Sequence, residues 1–308
     1  MSVVDLRVDG VEVEETFAEA FPMYCSRVLI TAMNEKWALT AAQVATGFAS
    51  SIIMSPAEAA VESLASPSET PDNRPGALIQ VYHRTLPDLK MQLVSRIGQC
   101  VLTCPTTSAF NALLDAKRRM RVGATLSKFG DGFEKRDKVF GRDVWRIPVM
   151  EGEFIVEDSF GVAKAIAGGN ILILAENVES GLKAAEAAVS AVKNGVRGVI
   201  MPFPGGVVRA GSKVGSLKYA KLTASTNHPY CPTLRDVVKD SKIPQDVKCV
   251  YEIVFNGLNL DLVKKAMGLA IVAASKISGV KKITAANYGG KLGPYKIALA
   301  EALESVKQ

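Results

Sequence analysis

Apolar and polar positions along this chain alternate between two periods, and the alternation sets out elements before anything else is weighed. From Val3 to Asp9 every second residue is apolar, and with Asp9-Gly10 at the tip this predicts a β-hairpin up to about Thr16. The run Arg27-Val-Leu-Ile-Thr31 predicts a strand. Asn34 then offers a helix cap, Trp37, Ala41, Val44, Ala45 and Phe48 share one side, and Gly47 supplies a stop. Ser50–Met54 predicts the next strand, Ser66–Gly76 a turn-rich loop and Ala77–Tyr82 another strand. A helix with Leu86, Leu89, Leu93 and Ile97 closes at Gly98, and Cys100–Thr103 predicts a last strand. The order is β-α-β-β-α-β, the ferredoxin-like arrangement with two helices on one face of an antiparallel sheet.

The second half repeats it. Asn170–Leu174 predicts a strand, Ser180 a cap, and Leu182, Ala185, Val189 and Val192 a helix stripe ended by Gly195. Val199–Met201 and Val247–Phe255 predict strands on either side of a long connection. Asn259 caps a helix bearing Leu262, Val263, Ala266, Met267 and Ala270, Gly279 ends it, and Lys281–Ala285 closes the unit. The reading is an α+β internal duplication of two ferredoxin-like lobes, residues 1–168 and 169–308. Extra strands at Arg142–Met150 and Glu153–Glu157 lie between them, and a short helix or strand follows Tyr295. The loop between second and third strands differs most, running from Ser55 to Gly76 in one half and from Pro202 to Asp246 in the other.

Composition narrows the classes. With 48% hydrophobic and 22% charged residues over 308 positions, the chain can bury a sizeable core. Five scattered cysteines argue against a disulfide framework and point to a reducing cytoplasm. Cys100 and Cys104 lack zinc-knuckle spacing and only His83 and His228 could assist, so no metal is expected. The uncharged run between Lys36 and Glu58 is too polar and broken to cross a membrane. A net charge of +6 suits polyanions, but 6% aromatic content does not suggest nucleic acid.

The charge is concentrated. From Ala187 to Arg235 there is no Asp or Glu, yet Lys193, Arg197, Arg209, Lys213, Lys218, Lys221 and Arg235 are present. Within this tract, Pro202-Phe-Pro-Gly-Gly206 lets backbone approach a ligand closely, and Arg209 and Lys213 add cations beside it. A solvated Gly/Pro turn is the plain alternative. Neither Asn287-Tyr-Gly-Gly-Lys-Leu-Gly293 nor Gly168-Gly169 is a nucleotide-binding loop. Ser225-Thr-Asn-His228 offers hydroxyls, an amide and an imidazole, and in isolation it reads as a capping and turn cluster ahead of a set of ligand contacts. Glu252 is the lone charge in Cys249–Phe255, where alternation puts it with Val250 and Val254 on one face. It is either a buried acid with a raised pKa or an edge-strand residue facing water or an ion-pair partner.

These motifs, together with Thr16–Phe21, Arg96–Thr103, Phe129-Gly-Asp-Gly132, Glu151–Asp158, Ala224–Asn227 and Val250–Val254, resemble formylmethanofuran:tetrahydromethanopterin formyltransferase. The resemblance runs from the first hairpin to the C-terminal end. It implies formyl transfer between two polyanionic one-carbon carriers, methanofuran and tetrahydromethanopterin, which act as substrates with no resident cofactor. It also implies a homotetramer, or in bacteria a place in a larger formyltransferase/hydrolase complex, with neither nucleic acid nor membrane as partner. The catalytic candidates are Glu252, whose counterpart in the family lies in the active site, and His228. The substrate-binding candidates are Phe203, Pro204, Gly205, Gly206, Arg209, Ser212, Lys213, Ser225, Thr226, Asn227, Tyr230, Asn287 and Lys291. A non-catalytic ligand-binding or assembly subunit of such a complex is the rival reading.

Overall fold

The structure is a computed structural model that describes residues 6–211 and 213–307. Two compact units divide the chain, residues 23–165 in one and residues 1–22 with 166–308 in the other. In chain order the elements are β1 (Arg7–Val8), β2 (Val11–Val13), β3 (Phe17–Thr31), α1 (Glu35–Ala45), β4 (Glu58–Ala65), β5 (Gly76–His83), α2 (Leu86–Arg96) and β6 (Ser108–Asn111). Then come β7 (Arg118–Met120), α3 (Gly123–Leu126), β8 (Lys135–Val139), β9 (Arg142–Val149), β10 (Gly152–Glu157) and β11 (Phe160–Ala175). The rest are α4 (Val178–Gly195), β12 (Val199–Ile200), β13 (Lys213–Val214), β14 (Ala224–Ser225), β15 (Cys249–Gly257), α5 (Leu260–Ser275), β16 (Val280–Thr284), β17 (Tyr295–Ala298) and α6 (Leu299–Glu304).

Each unit is ferredoxin-like. In the unit of residues 23–165 the strands run β6-β3-β5-β4, all antiparallel, the fourth-first-third-second order of that fold. In the other unit β16-β11-β15-β12 repeats the order. Parallel additions extend both: β10 beside β6, followed by β9 and β8, and β2 beside β16, followed by β1. One sheet face carries the helices. Val28, Ile30, Ala77, Ile79 and Val81 pack against Ala38, Ala41, Ala45, Leu89 and Leu93. In the same way Ile171, Ile173, Ile253 and Phe255 pack against Ala184, Ala188, Val192, Val263 and Met267.

Local chemistry explains most boundaries. Asp9 and Gly10 both take positive φ, the type I′ geometry a two-residue hairpin needs. Asn34 and Asn259 accept the N–H groups of Trp37 and Leu262, capping α1 and α5. For α4 the cap is Asn177, which accepts the N–H of Ser180 itself, so Ser180 lies inside the first turn. Among the expected stripe residues, Val44, Phe48 and Leu182 face solvent, because the alanines beside them fill the contact with the sheet. Gly279, with φ of 90°, sits in the turn before β16, after α5 has already ended.

Two expected strands are absent. Ser50–Met54 is a turn, and the paired strand is β4, within the stretch read as loop. β4 is rich in Ala and Glu and has little strand propensity. Its position rests on Glu62, which pairs with Arg27 at 2.5 Å and accepts from Gln80 at 2.7 Å. Cys100–Thr103 continues a helix instead, since Leu93, Ile97 and Val101 keep a four-residue spacing into the core and a π-turn closes with Leu102 N–H on Ile97 O. The fourth strand falls later, at Ser108–Asn111.

Candidate active site

The connection from β12 to β15 leaves the sheet edge almost at once. β12 pairs only with Gly257 and Asn256 of β15. The chain then turns through Pro204–Gly206, where Gly206 has φ of 85° and a Cβ would lie 2.9 Å from Val189 of α4. That glycine serves close packing on a helix, while Gly205 and Pro204 are exposed and Phe203 is half-buried. Val208 then rejoins the sheet, exchanging both backbone hydrogen bonds with Glu252 at 2.7 and 2.9 Å.

Glu252 is 1% exposed and sits opposite Leu172 on the sheet face away from the helices. Leu172, Leu174, Tyr230, Ile243 and Val247 make the apolar cluster of that face. Beside it lies a cavity of about 20 Å³ lined by Leu172, Val208, Arg209, Ala210, Gly211, Asn227, Tyr230, Cys231, Val250 and Glu252. Roughly 10–15 Å³ suffices for a water, so this is space for one small polar group next to a carboxyl and a guanidinium.

Four of the expected residues therefore meet: Arg209, Asn227, Tyr230 and Glu252. Asn227 is held by its N–H on Ala210 O at 3.0 Å, and Lys242 lies 5.5 Å over the Tyr230 ring. Lys213 and Ser225 pair nearby in the β13–β14 hairpin, Nζ to Oγ 3.1 Å. Thr226 contacts the Cys231 thiol at 3.3 Å. His228 does not line the cavity; its Nε2 lies 3.2 Å from Asp240 on the loop surface. Asn287 donates to Thr16 Oγ1 and Phe17 O at 3.1 and 3.0 Å, which makes it a tie between segments. Lys291 is exposed, and Ser212 lies outside the described residues.

Two residues near the site were not among the sequence candidates. Glu19, buried in β3, accepts the N–H groups of Tyr288, Gly290 and Leu292. The glycine loop thus binds a carboxylate of its own chain. Tyr288 Oη accepts the Val214 N–H at 2.8 Å. Burial pushes its phenol up, the Val214 N–H acts the other way, and the carboxylates of Glu252 and Glu19 add to the rise. Like Glu252, Glu19 is the lone charge in an otherwise apolar run, Phe17–Phe21, and that signal could have found it. Among the described residues no group of three or more His, Cys, Asp or Glu could hold a metal ion. No described helix is long and apolar enough to cross a membrane.

Two ferredoxin-like units, one of them with the buried Glu252 beside a basic connection, define an α+β protein. Residues 6–149 match the formylmethanofuran-tetrahydromethanopterin formyltransferase family, and residues 152–302 match the proximal lobe of the same family. The chain belongs to this family. It is 55% identical to the formylmethanofuran–tetrahydromethanopterin formyltransferase of Methanocaldococcus jannaschii over 302 residues, 97% of this chain and 100% of that one. The solved structure of the Methanosarcina barkeri formyltransferase superposes with a TM-score of 0.93 at 50% identity, covering 96% of this chain and 100% of that one. A chain of the formyltransferase/hydrolase complex from Methylorubrum extorquens, solved with methylofuran, gives 0.92 at 42% identity, covering 97% and 99%.

Proposed function

We propose that this chain transfers the formyl group between formylmethanofuran and tetrahydromethanopterin, giving 5-formyltetrahydromethanopterin, through its 169–308 lobe. Both carriers are substrates and no resident cofactor takes part. The pterin amine attacks the formyl carbon, and its nitrogen forms the new C–N bond as the carbonyl oxygen becomes an oxyanion. A protonated Glu252 donates a hydrogen bond to that oxygen and then gives its proton to the departing furfurylamine as the old C–N bond breaks. The proton released by the pterin nitrogen restores Glu252, so the step balances without ATP. Arg209 and Lys213 hold anionic groups of the carriers, with Asn227 and Tyr230 packing beside the reacting centre.

One observation carries this reading: Glu252 is buried in an apolar face yet opens onto a cavity shared with Arg209. Burial disfavours the charged form of a carboxyl and so favours the protonated form that a proton donor needs. Glu252→Gln keeps a donor but cannot pass a proton, so kcat should fall roughly 10²–10⁴-fold with KM nearly unchanged. Wild-type kcat in that variant across pH would overturn the assignment. Cytoplasmic location and a homotetramer are part of the proposal. The likeness to a chain of the Methylorubrum extorquens complex supports a second reading, a subunit that needs partners. Formyl transfer by the purified chain alone separates the two.

A further inference from the structure

The glycine motif Asn287–Gly293 has the composition of an anion loop, but the N–H groups of Tyr288, Gly290 and Leu292 are already committed. Glu19 Oε1 accepts from Tyr288 at 3.1 Å and from Gly290, and Oε2 accepts from Leu292 at 2.9 Å. Asn287 adds a second tie through its amide to Thr16 and Phe17. A carboxylate taking several backbone N–H groups is a strong, charge-assisted clamp. What it holds in place is the Tyr288 side chain, whose oxygen accepts the Val214 N–H.

Val214 lies in the basic connection, next to Lys213. That connection touches the rest of its unit through backbone at Val208, against Glu252, and again at Val214, against the Tyr288 oxygen. Arg209 and Lys213 fall on the stretch between those two attachments. We infer that Tyr288, set by Glu19, is a positioning residue for formyl transfer: it pins the cationic segment over Glu252 so that carrier binding does not have to order it. The inference rests on the proposed role of that segment in binding the carriers. Burial holds the phenol above its ordinary pKa, so it stays protonated and its oxygen accepts as a neutral hydroxyl.

Tyr288→Phe removes the acceptor and leaves the ring. A neutral hydrogen bond of this kind contributes on the order of 1 kcal/mol, which corresponds to a rise in KM of roughly five-fold for the carrier bound by the segment. The expected result is that rise with kcat within about two-fold, Tm shifted by no more than a few degrees, and faster amide exchange at Val214. In a double-mutant cycle with Lys213→Gln the KM effects should fall short of additive. Unchanged exchange at Val214, or fully additive KM losses, would overturn the inference. A Lys213→Gln variant with unchanged KM at low salt would instead overturn the binding role of the segment, and Val214 exchange in Tyr288→Phe would still decide the anchor. Glu19→Gln should loosen the same amide, because a carboxamide is a weaker acceptor.

Discussion

The two ferredoxin-like units can be laid over one another residue by residue, and doing so places Leu78 where the second has Glu252. Leu29 pairs with Leu78 across β3 and β5, and Leu172 pairs with Glu252 across β11 and β15. Asn34 follows Leu29 by five residues, as Asn177 follows Leu172; Thr85 follows Leu78 by seven, as Asn259 follows Glu252. Both positions point away from the helices. Around Leu78 that face is closed by Leu29, Ala65, Phe110 and Val144. The difference arises at the second strand. β4 runs alongside β5 for its whole length and puts Ser63 beside Leu78, whereas β12 stops after two residues and lets a loop in beside Glu252. The duplicated fold is asymmetric here because one edge strand is shorter, and the cationic connection lies beside Glu252 where the longer strand lies beside Leu78.

The reciprocal exchange strains this comparison most. Glu252→Leu should remove at least about 10³ of kcat while Tm stays level or rises, since an apolar face gains an apolar residue. Leu78→Glu should do the opposite, costing several kcal/mol by placing a carboxyl among Leu29, Phe110 and Val144, on the order of 3–5. Urea unfolding and a transfer assay read the two effects separately. Equal activity losses with equal destabilisation would show that the faces are not specialised.

Next in size is the polar network that seats β4. Arg27→Ala leaves the Glu62 carboxylate buried without its 2.5 Å partner, at about 3 kcal/mol or more, lowering the urea midpoint with little change in KM. A smaller effect is expected in the loop of the other unit. Arg209→Gln should raise KM several-fold at low salt with kcat nearly unchanged, and the effect should shrink as salt screens the charge. Initial rates measured at two ionic strengths check this, and salt-independence would detach the loop from anion binding. The smallest effects test where the units are alike. Asn34→Ala and Asn177→Ala, at matching caps of the two units, should each cost about 1 kcal/mol of stability, and neither should alter activity.

Much of this was legible along the chain. Helix stripes, the Asn34 and Asn259 caps and the repeated β-α-β-β-α-β order follow from short-range rules of period and capping, and Glu252 stood out because a single charge in an apolar strand is costly. The motifs also resembled the right family. The strand at Glu58–Ala65 was not legible, because its place depends on Arg27 and Gln80 binding Glu62, contacts that no local pattern records. Nor was the end of α2, where a π-turn carried the apolar spacing past Gly98. The site divides the same way. Sequence alone marked the cationic loop and the lone acid, since charge and polarity are properties of the residues themselves. Only the tertiary structure decided that Asn227, Tyr230 and Arg209 meet Glu252, that His228 turns to Asp240, and that Glu19 fills the glycine loop. Those outcomes depend on which distant segments pack together, and long-range packing follows from the whole burial problem, which no single stretch contains.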